Sequence, residues 1–148
     1  VDLVADASAL VAWLMGEAAA GEVEDLLGRE RVLCSASNLA EVAFRISRSE
    51  RLDPVAVEAL LADLRTVGLV VVPVDADLAV RAASIRAAHY HRTRMAVSLA
   101  DCVALATAAA IEAPLVTSDA ALCRVAAAVG VAVVPIPNSK GVRPRVHR

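Results

Sequence analysis

The stretch Leu3-Val4-Ala5-Asp6-Ala7-Ser8-Ala9-Leu10-Val11-Ala12-Trp13-Leu14-Met15 sets a short apolar run, an acid and a longer apolar run end to end. Leu3–Ala5 is too short for a helix and reads as a strand buried on both faces, as in parallel sheets. Ala9–Met15 reads as the helix that follows. Asp6 therefore stands at a strand-to-helix junction, where Asp6 or Ser8 can cap the helix by accepting a backbone N–H. The same unit recurs along the chain. Further strands are expected at Val32–Ser35, Leu69–Val74, Leu115–Thr117 and Val131–Val134. Helices are expected near Glu17–Leu27, Leu39–Ser49, Val55–Val67, Ala76–His89, Leu99–Ile111 and Ala120–Val129. Asp53-Pro54 supplies a cap and a first-turn proline, while Gly68 and Gly130 stop two of the helices. The alternation predicts an α/β fold around a mainly parallel central sheet of about five strands.

A chain of 148 residues with 58% hydrophobic side chains suits one domain with one core. That domain is placed at residues 1–136, with residues 137–148 as a basic, flexible extension lacking any acid. A membrane span needs about 20 consecutive apolar residues. The longest charge-free run, Val125–Ser139, is broken by Pro135, Pro137 and Asn138, so a spanning role is excluded. No secretory signal is visible. Cys34, Cys102 and Cys123 are widely spaced and sit in apolar runs, which fits buried free thiols in a reducing compartment. The expected location is the cytoplasm. The net charge of −2 conceals −8 over residues 1–77 and +6 over residues 78–148. Such a chain can hold acidic ligands while offering arginine to a polyanion.

Each of four acids has a structural explanation. Asp6 and Asp119 can cap helices, Asn38-x-x-Glu41 has the spacing of a capping box, and Ser98-x-x-Asp101 has its looser form. Jointly they say more. Asp6 and Asp119 follow the carboxyl ends of strands, the edge at which open parallel sheets bind ligands. Glu41 and Asp101 lie in first turns of helices that open onto that edge if the crossovers are right-handed. Like charges so close require a cation. Oxygen-only ligation selects Mg²⁺, or Mn²⁺, and such an ion serves phosphodiester chemistry.

The segments Val4-Ala5-Asp6-Ala7-Ser8-Ala9-Leu10, Asn38-Leu39-Ala40-Glu41-Val42, Ser98-Leu99-Ala100-Asp101-Cys102-Val103-Ala104-Leu105-Ala106-Thr107-Ala108 and Val116-Thr117-Ser118-Asp119 resemble those of PIN-domain ribonucleases. More narrowly they resemble the VapC toxins of bacterial toxin–antitoxin modules. The resemblance implies a PIN-like three-layer α/β/α fold and a Mg²⁺-dependent endoribonuclease acting through metal-activated water, leaving 5′-phosphate and 3′-hydroxyl ends. By position, Asp6, Asp101 and Asp119 would hold the metal, Glu41 would complete the catalytic set, and Ser8 and Thr117 would support it by hydrogen bonding. It also implies a homodimer and a small VapB-like antitoxin that occludes the cleft. Ser118-Asp119-Ala120 departs from the family, in which a basic residue often follows the acid; Arg124 is the residue that could supply that charge.

From Leu78 to Ala100 the chain has no acid but carries Arg81, Arg86, His89, His91, Arg92 and Arg94. The Arg92–Arg94 loop is the candidate RNA contact, together with Arg124, while Arg81 and Arg86 are either phosphate steerers or the wet face of a helix. His89 and His91 read as surface or partly buried side chains. The aromatics are only Trp13, Phe44 and Tyr90. With no stacking platform, the expected substrate is a structured RNA such as tRNA or rRNA, held by its backbone. Trp13 is assigned to an interface or the core, and Phe44 to the core or an antitoxin-facing surface. Rival readings are a PIN-type nuclease in RNA processing outside a toxin–antitoxin pair, and a non-catalytic α/β binding module. A haloacid-dehalogenase-type phosphatase is disfavoured because Ser8 replaces its second Asp. A receiver domain is disfavoured because the only lysine is Lys140.

Overall fold

The computed structural model describes residues 1–146; His147 and Arg148 of the basic extension lie outside the described residues. Five strands form one sheet: β1 (Asp2–Ala5), β2 (Arg31–Ser35), β3 (Val70–Val72), β4 (Leu115–Thr117) and β5 (Val133–Pro135). Their order is β3-β2-β1-β4-β5, and every pairing is parallel. The helices are α1 (Ala7–Leu14), α2 (Ala20–Arg29), α3 (Ala36–Glu50), α4 (Pro54–Thr66), α5 (Ala76–His89), α6 (Leu99–Ala110) and α7 (Ala120–Val129). This is the three-layer α/β/α architecture expected of a PIN-like chain.

Alternation along the strands splits the core between the two faces. Leu3, Ala5, Val32, Cys34 and Val116 meet apolar side chains of α1 to α4, including Leu10, Val42 and Leu64. Val4, Leu33 and Leu115 meet those of α5 to α7, including Ala82, Leu105, Leu122 and Val125. Small side chains on α6, among them Ala104, Ala106 and Ala108, are fully or almost fully buried. They allow α6 to pack closely against α5 and α3. All three cysteines are buried and free. No helix among the described residues is long and apolar enough to cross a membrane.

The strand order reverses between β1 and β4: the chain first builds outward through β2 and β3, then returns to the other side of β1. That switch point leaves a crevice at the carboxyl ends of the two strands, the usual ligand-binding edge of an open parallel sheet. Beyond Ile136 the chain turns on Asn138, whose Oδ1 accepts the amides of Lys140 and Val142 at 3.0 Å each. Gly141 makes this turn with φ of 78°, a left-handed conformation that costs glycine little. Arg143 then reaches α2, donating to both Glu22 carboxylate oxygens at 2.7 and 3.1 Å and to the Pro135 carbonyl.

Candidate active site

Asp6 lies at the crevice, 3% exposed. It caps α1, its Oδ1 accepting the Ala9 amide at 3.0 Å and the Ser8 hydroxyl at 2.7 Å. Its Oδ2 accepts the hydroxyl of Thr117, the last residue of β4. Thr117 Oγ1 accepts the Asp119 amide at 3.0 Å, and Ser8 Oγ accepts the Ser118 amide at 3.1 Å. Ser8 and Thr117 thus stitch the ends of β1 and β4 together with Asp6 as the hub. Burial lifts the Asp6 carboxyl to about 6, against the pull of its three hydrogen bonds, and the charge of Asp101 adds to the lift.

Asp119 caps α7 through Oδ1 and the Leu122 amide at 2.8 Å. Asp101 forms a full capping box with Ser98: the Asp101 amide donates to Ser98 Oγ at 3.0 Å, and the Ser98 amide donates to Asp101 Oδ2 at 2.7 Å. Burial raises the Asp101 carboxyl above its ordinary range; its bonds with Ser98 and the charge of Arg45 pull it back, while Asp119 pushes it up.

Glu41 makes no capping box. Its spacing to Asn38 predicts a capping box, but α3 starts at Ala36 and its cap is Ser35, whose Oγ accepts the Asn38 amide at 3.1 Å. The reason is that β2 ends on a residue able to cap, so the helix begins at once. Asn38 instead lies fully buried in the first turn, accepting the Ser35 hydroxyl on Oδ1 at 2.6 Å. Glu41, one turn farther on, cannot reach back to the helix start. Its Oε2 is buried with no hydrogen-bond partner, as is Asn38 Nδ2. Burial, then Asp101 and Asp119, raise the Glu41 carboxyl, while Arg45 lowers it.

The four acids therefore lie close enough for their charges to act on one another, around one edge of the sheet. The donors are all hard oxygens, and a buried orphan acceptor is what a cation or its water would satisfy. Among the described residues, no three His, Cys, Asp or Glu side chains converge closely enough to cage an ion as they stand. Three of the carboxylates each give an oxygen to a helix cap, and mutual repulsion favours that spread. The residues fit a hard divalent ion in kind.

The arginines divide by what they touch. Arg92 and Arg94 are exposed on a turn closed by paired backbone bonds between His91 and Met95, at 2.9 and 3.0 Å. Inside that turn His91 Nδ1 accepts the amides of Thr93 and Arg94 at 3.2 and 3.1 Å. Arg124 braces the turn from α7, with Nη2 on the Arg94 carbonyl at 2.8 Å. Arg86 donates from Nε to the Val97 carbonyl at 3.2 Å, with its guanidinium 4.3 Å from the Tyr90 ring centroid. Arg81 is exposed and His89 half-buried. Trp13 packs on the core, partly buried. Phe44 is 60% exposed, which removes the core reading: the buried stripe of α3 is Asn38, Val42 and Ile46, leaving Phe44 on the far side. The residue that sequence reasoning missed is Arg45. Its spacing of four from Glu41 was the available signal, since i and i+4 share a helical face.

A PIN domain family model matches residues 3–128. No curated protein matches the chain in sequence. Solved structures do match its fold. VapC20 of Mycobacterium tuberculosis, described as a toxin cleaving the sarcin–ricin loop, is 21% identical with a TM-score of 0.67, covering 96% of this chain and 99% of its own. VapBC2 of Rickettsia felis, bound to a promoter DNA fragment, is 17% identical with a TM-score of 0.66, covering 90% and 98%. FitAcB of Neisseria gonorrhoeae is 19% identical with a TM-score of 0.60, covering 95% and 99%.

Proposed function

The chain belongs to the PIN domain family, and from that premise we propose that it is a metal-dependent endoribonuclease, the toxin of a toxin–antitoxin pair. Asp6, Asp101 and Asp119 would hold a Mg²⁺ ion, with Mn²⁺ able to replace it, and Glu41 would complete the cluster. Such an ion supplies polarisation of a phosphate and activation of water. Thr117 and Ser8 fix the Asp6 carboxylate, so it needs little reorganisation at the moment of reaction. Glu41 Oε2, which no hydrogen bond engages, accepts a proton from the attacking water. Water oxygen bonds to phosphorus, the bond from phosphorus to O3′ breaks, and O3′ takes up a proton. The ends are a 5′-phosphate and a 3′-hydroxyl. The nuclease domain is residues 1–136, and residues 137–148 are a basic extension.

The observation that carries this reading is geometric: at the β1/β4 switch point Asp6 and Asp119 follow adjacent strands and are tied together through Thr117 and Ser8. Asp101 and Glu41, in the early turns of α6 and α3, border the same crevice. The substrate class is structured RNA, in keeping with the sarcin–ricin loop cleaved by VapC20 and with the scarcity of stacking aromatics here. A second copy of the chain and a small VapB-like antitoxin complete the assembly; the antitoxin is supported by a toxin–antitoxin complex from Klebsiella pneumoniae of similar fold. Wild-type protein and Asp6→Ala incubated with total RNA decide the matter. Cleavage is expected only from the wild type, with Mg²⁺ present and EDTA absent. Equal cleavage by both proteins, or cleavage indifferent to EDTA, refutes the reading.

A further inference from the structure

Beside Asp119 lies a cleft of about 300 Å³ whose lining is mostly polar. Its walls include Ser8 at the start of α1, Arg45 on α3, Ser118 and Asp119 at the β4–α7 junction, and Asn138 and Ser139 on the turn that follows β5. Arg45 is the cation among them. One turn from Glu41, it has the spacing at which helical Glu–Arg pairs form, yet no ion pair joins it to any carboxylate among the described residues. Its charge nonetheless acts on both Glu41 and Asp101. The guanidinium is exposed and uncommitted at the border of the acid cluster. The hydroxyls of Ser118 and Ser139 add donors beside it, since neither is engaged in a side-chain hydrogen bond to the protein, unlike that of Ser8.

Resting on the nuclease reading of the acids, we propose that this cleft is a backbone subsite in which Arg45 binds an RNA phosphate next to the scissile one. An arginine suits this task because its planar fork grips a phosphate through two parallel N–H···O bonds. Glu17 also lines the cleft. With Asp119 it repels a bare anion, so the subsite fills when a divalent ion is bound nearby. The position also gives the substrate a path: one phosphate on the carboxylate cluster, its neighbour on Arg45, and the strand running past the 138–142 turn. The arginines expected to grip RNA from sequence do not line this cleft, and Arg124 already braces the 91–95 turn.

The test uses the full chain as wild type, Arg45→Met and Arg45→Lys, with a fluorescein-labelled RNA stem-loop in Ca²⁺ and cleavage of total RNA in Mg²⁺. Arg45→Met is expected to weaken stem-loop binding about tenfold, equivalent to one charge-assisted contact, and to flatten the log–log salt dependence by about 0.7–0.9. Arg45→Lys keeps the salt slope and recovers part of the affinity. Mn²⁺ titrated calorimetrically should bind Arg45→Met at least as tightly as wild type, because a positive neighbour has gone. A counter-charge that only tunes the acids would change Mn²⁺ affinity and leave RNA affinity and salt slope alone; that result overturns the subsite. Wild type cleaving RNA while Arg45→Met binds the stem-loop with wild-type affinity overturns the subsite but spares the nuclease reading. A wild type that neither binds nor cleaves RNA in these ions overturns both.

Discussion

Asp6 carries an electrostatic cost that can be measured. Its carboxyl titrates near 6 in the folded chain against 3.8 as the ordinary value. The native state therefore binds the proton more tightly than the unfolded chain does. Stability from this group is present below pH 4, falls as pH rises from about 4 to 6, and stays lower above that window. At 1.36 kcal/mol per unit the loss is at most about 3 kcal/mol. Asparagine keeps the cap without the charge. The metal-free Asp6→Asn protein should thus be more stable than wild type at pH 7.5, by about 1–3 kcal/mol, with the gap closing at pH 4. Urea unfolding at the two pH values measures it, and parallel pH profiles for the two proteins would contradict the assignment. Stability gained with nuclease activity lost is the signature of a residue retained for chemistry, whereas for a residue kept only as a cap the asparagine would leave stability and activity nearly unchanged.

Among the elements, α6 depends most visibly on its first turn. Ser98→Ala removes one half of its capping box and should cost about 1 kcal/mol. Faster hydrogen exchange at the Asp101 amide would report it; unchanged exchange would mean the cap contributes nothing there. Elements whose ends are written in chemistry were legible in the chain. The Ala76–His89 and Ala120–Val129 helices and the Leu115–Thr117 strand have the expected bounds, and Gly130 ends α7 in the left-handed conformation with φ of 77°. The start of α3 was not legible, because Ser35 and Asn38 are equally good caps in sequence and only the end of β2 decides between them. The same ambiguity hid the state of Glu41. Phe44 was misread because hydrophobicity says that a side chain would be stable inside, not which side of the helix is inside. Arg45 was overlooked because a Glu–Arg spacing of four looks like an ordinary surface pair until the acids from β1, α6 and α7 are seen around it. The tertiary partners of Arg124 and Arg86, the carbonyls of Arg94 and Val97, were not legible because no spacing in the sequence announces them.

At the scale of the whole molecule, the sheet holds acids of one sign together, and a divalent cation should relieve that strain. Mn²⁺ is expected to raise the melting temperature of the wild type, with a gain of about 2.7 kcal/mol at 100 times its Kd, and to leave Asp6→Asn nearly unmoved. Differential scanning calorimetry distinguishes this from a nonspecific salt effect, which both proteins would share. The bond from Thr117 to Asp6 has a second consequence, for the order of assembly. It joins residues 111 positions apart, and contacts of such long range form late because loop closure must precede them. Pairing of β1 with β2 spans 29 residues, as Asp2 opposite Arg31 illustrates. A chain emerging from the ribosome can thus pair β1 with β2 well before Leu115–Thr117 exists. Until β4 docks, Asp6 remains hydrated and far from Asp119, and the crevice has no second wall. If the acids serve the proposed nuclease, the capacity to cut RNA would arise only once β4 has docked against β1, which would separate the time of synthesis from the onset of activity.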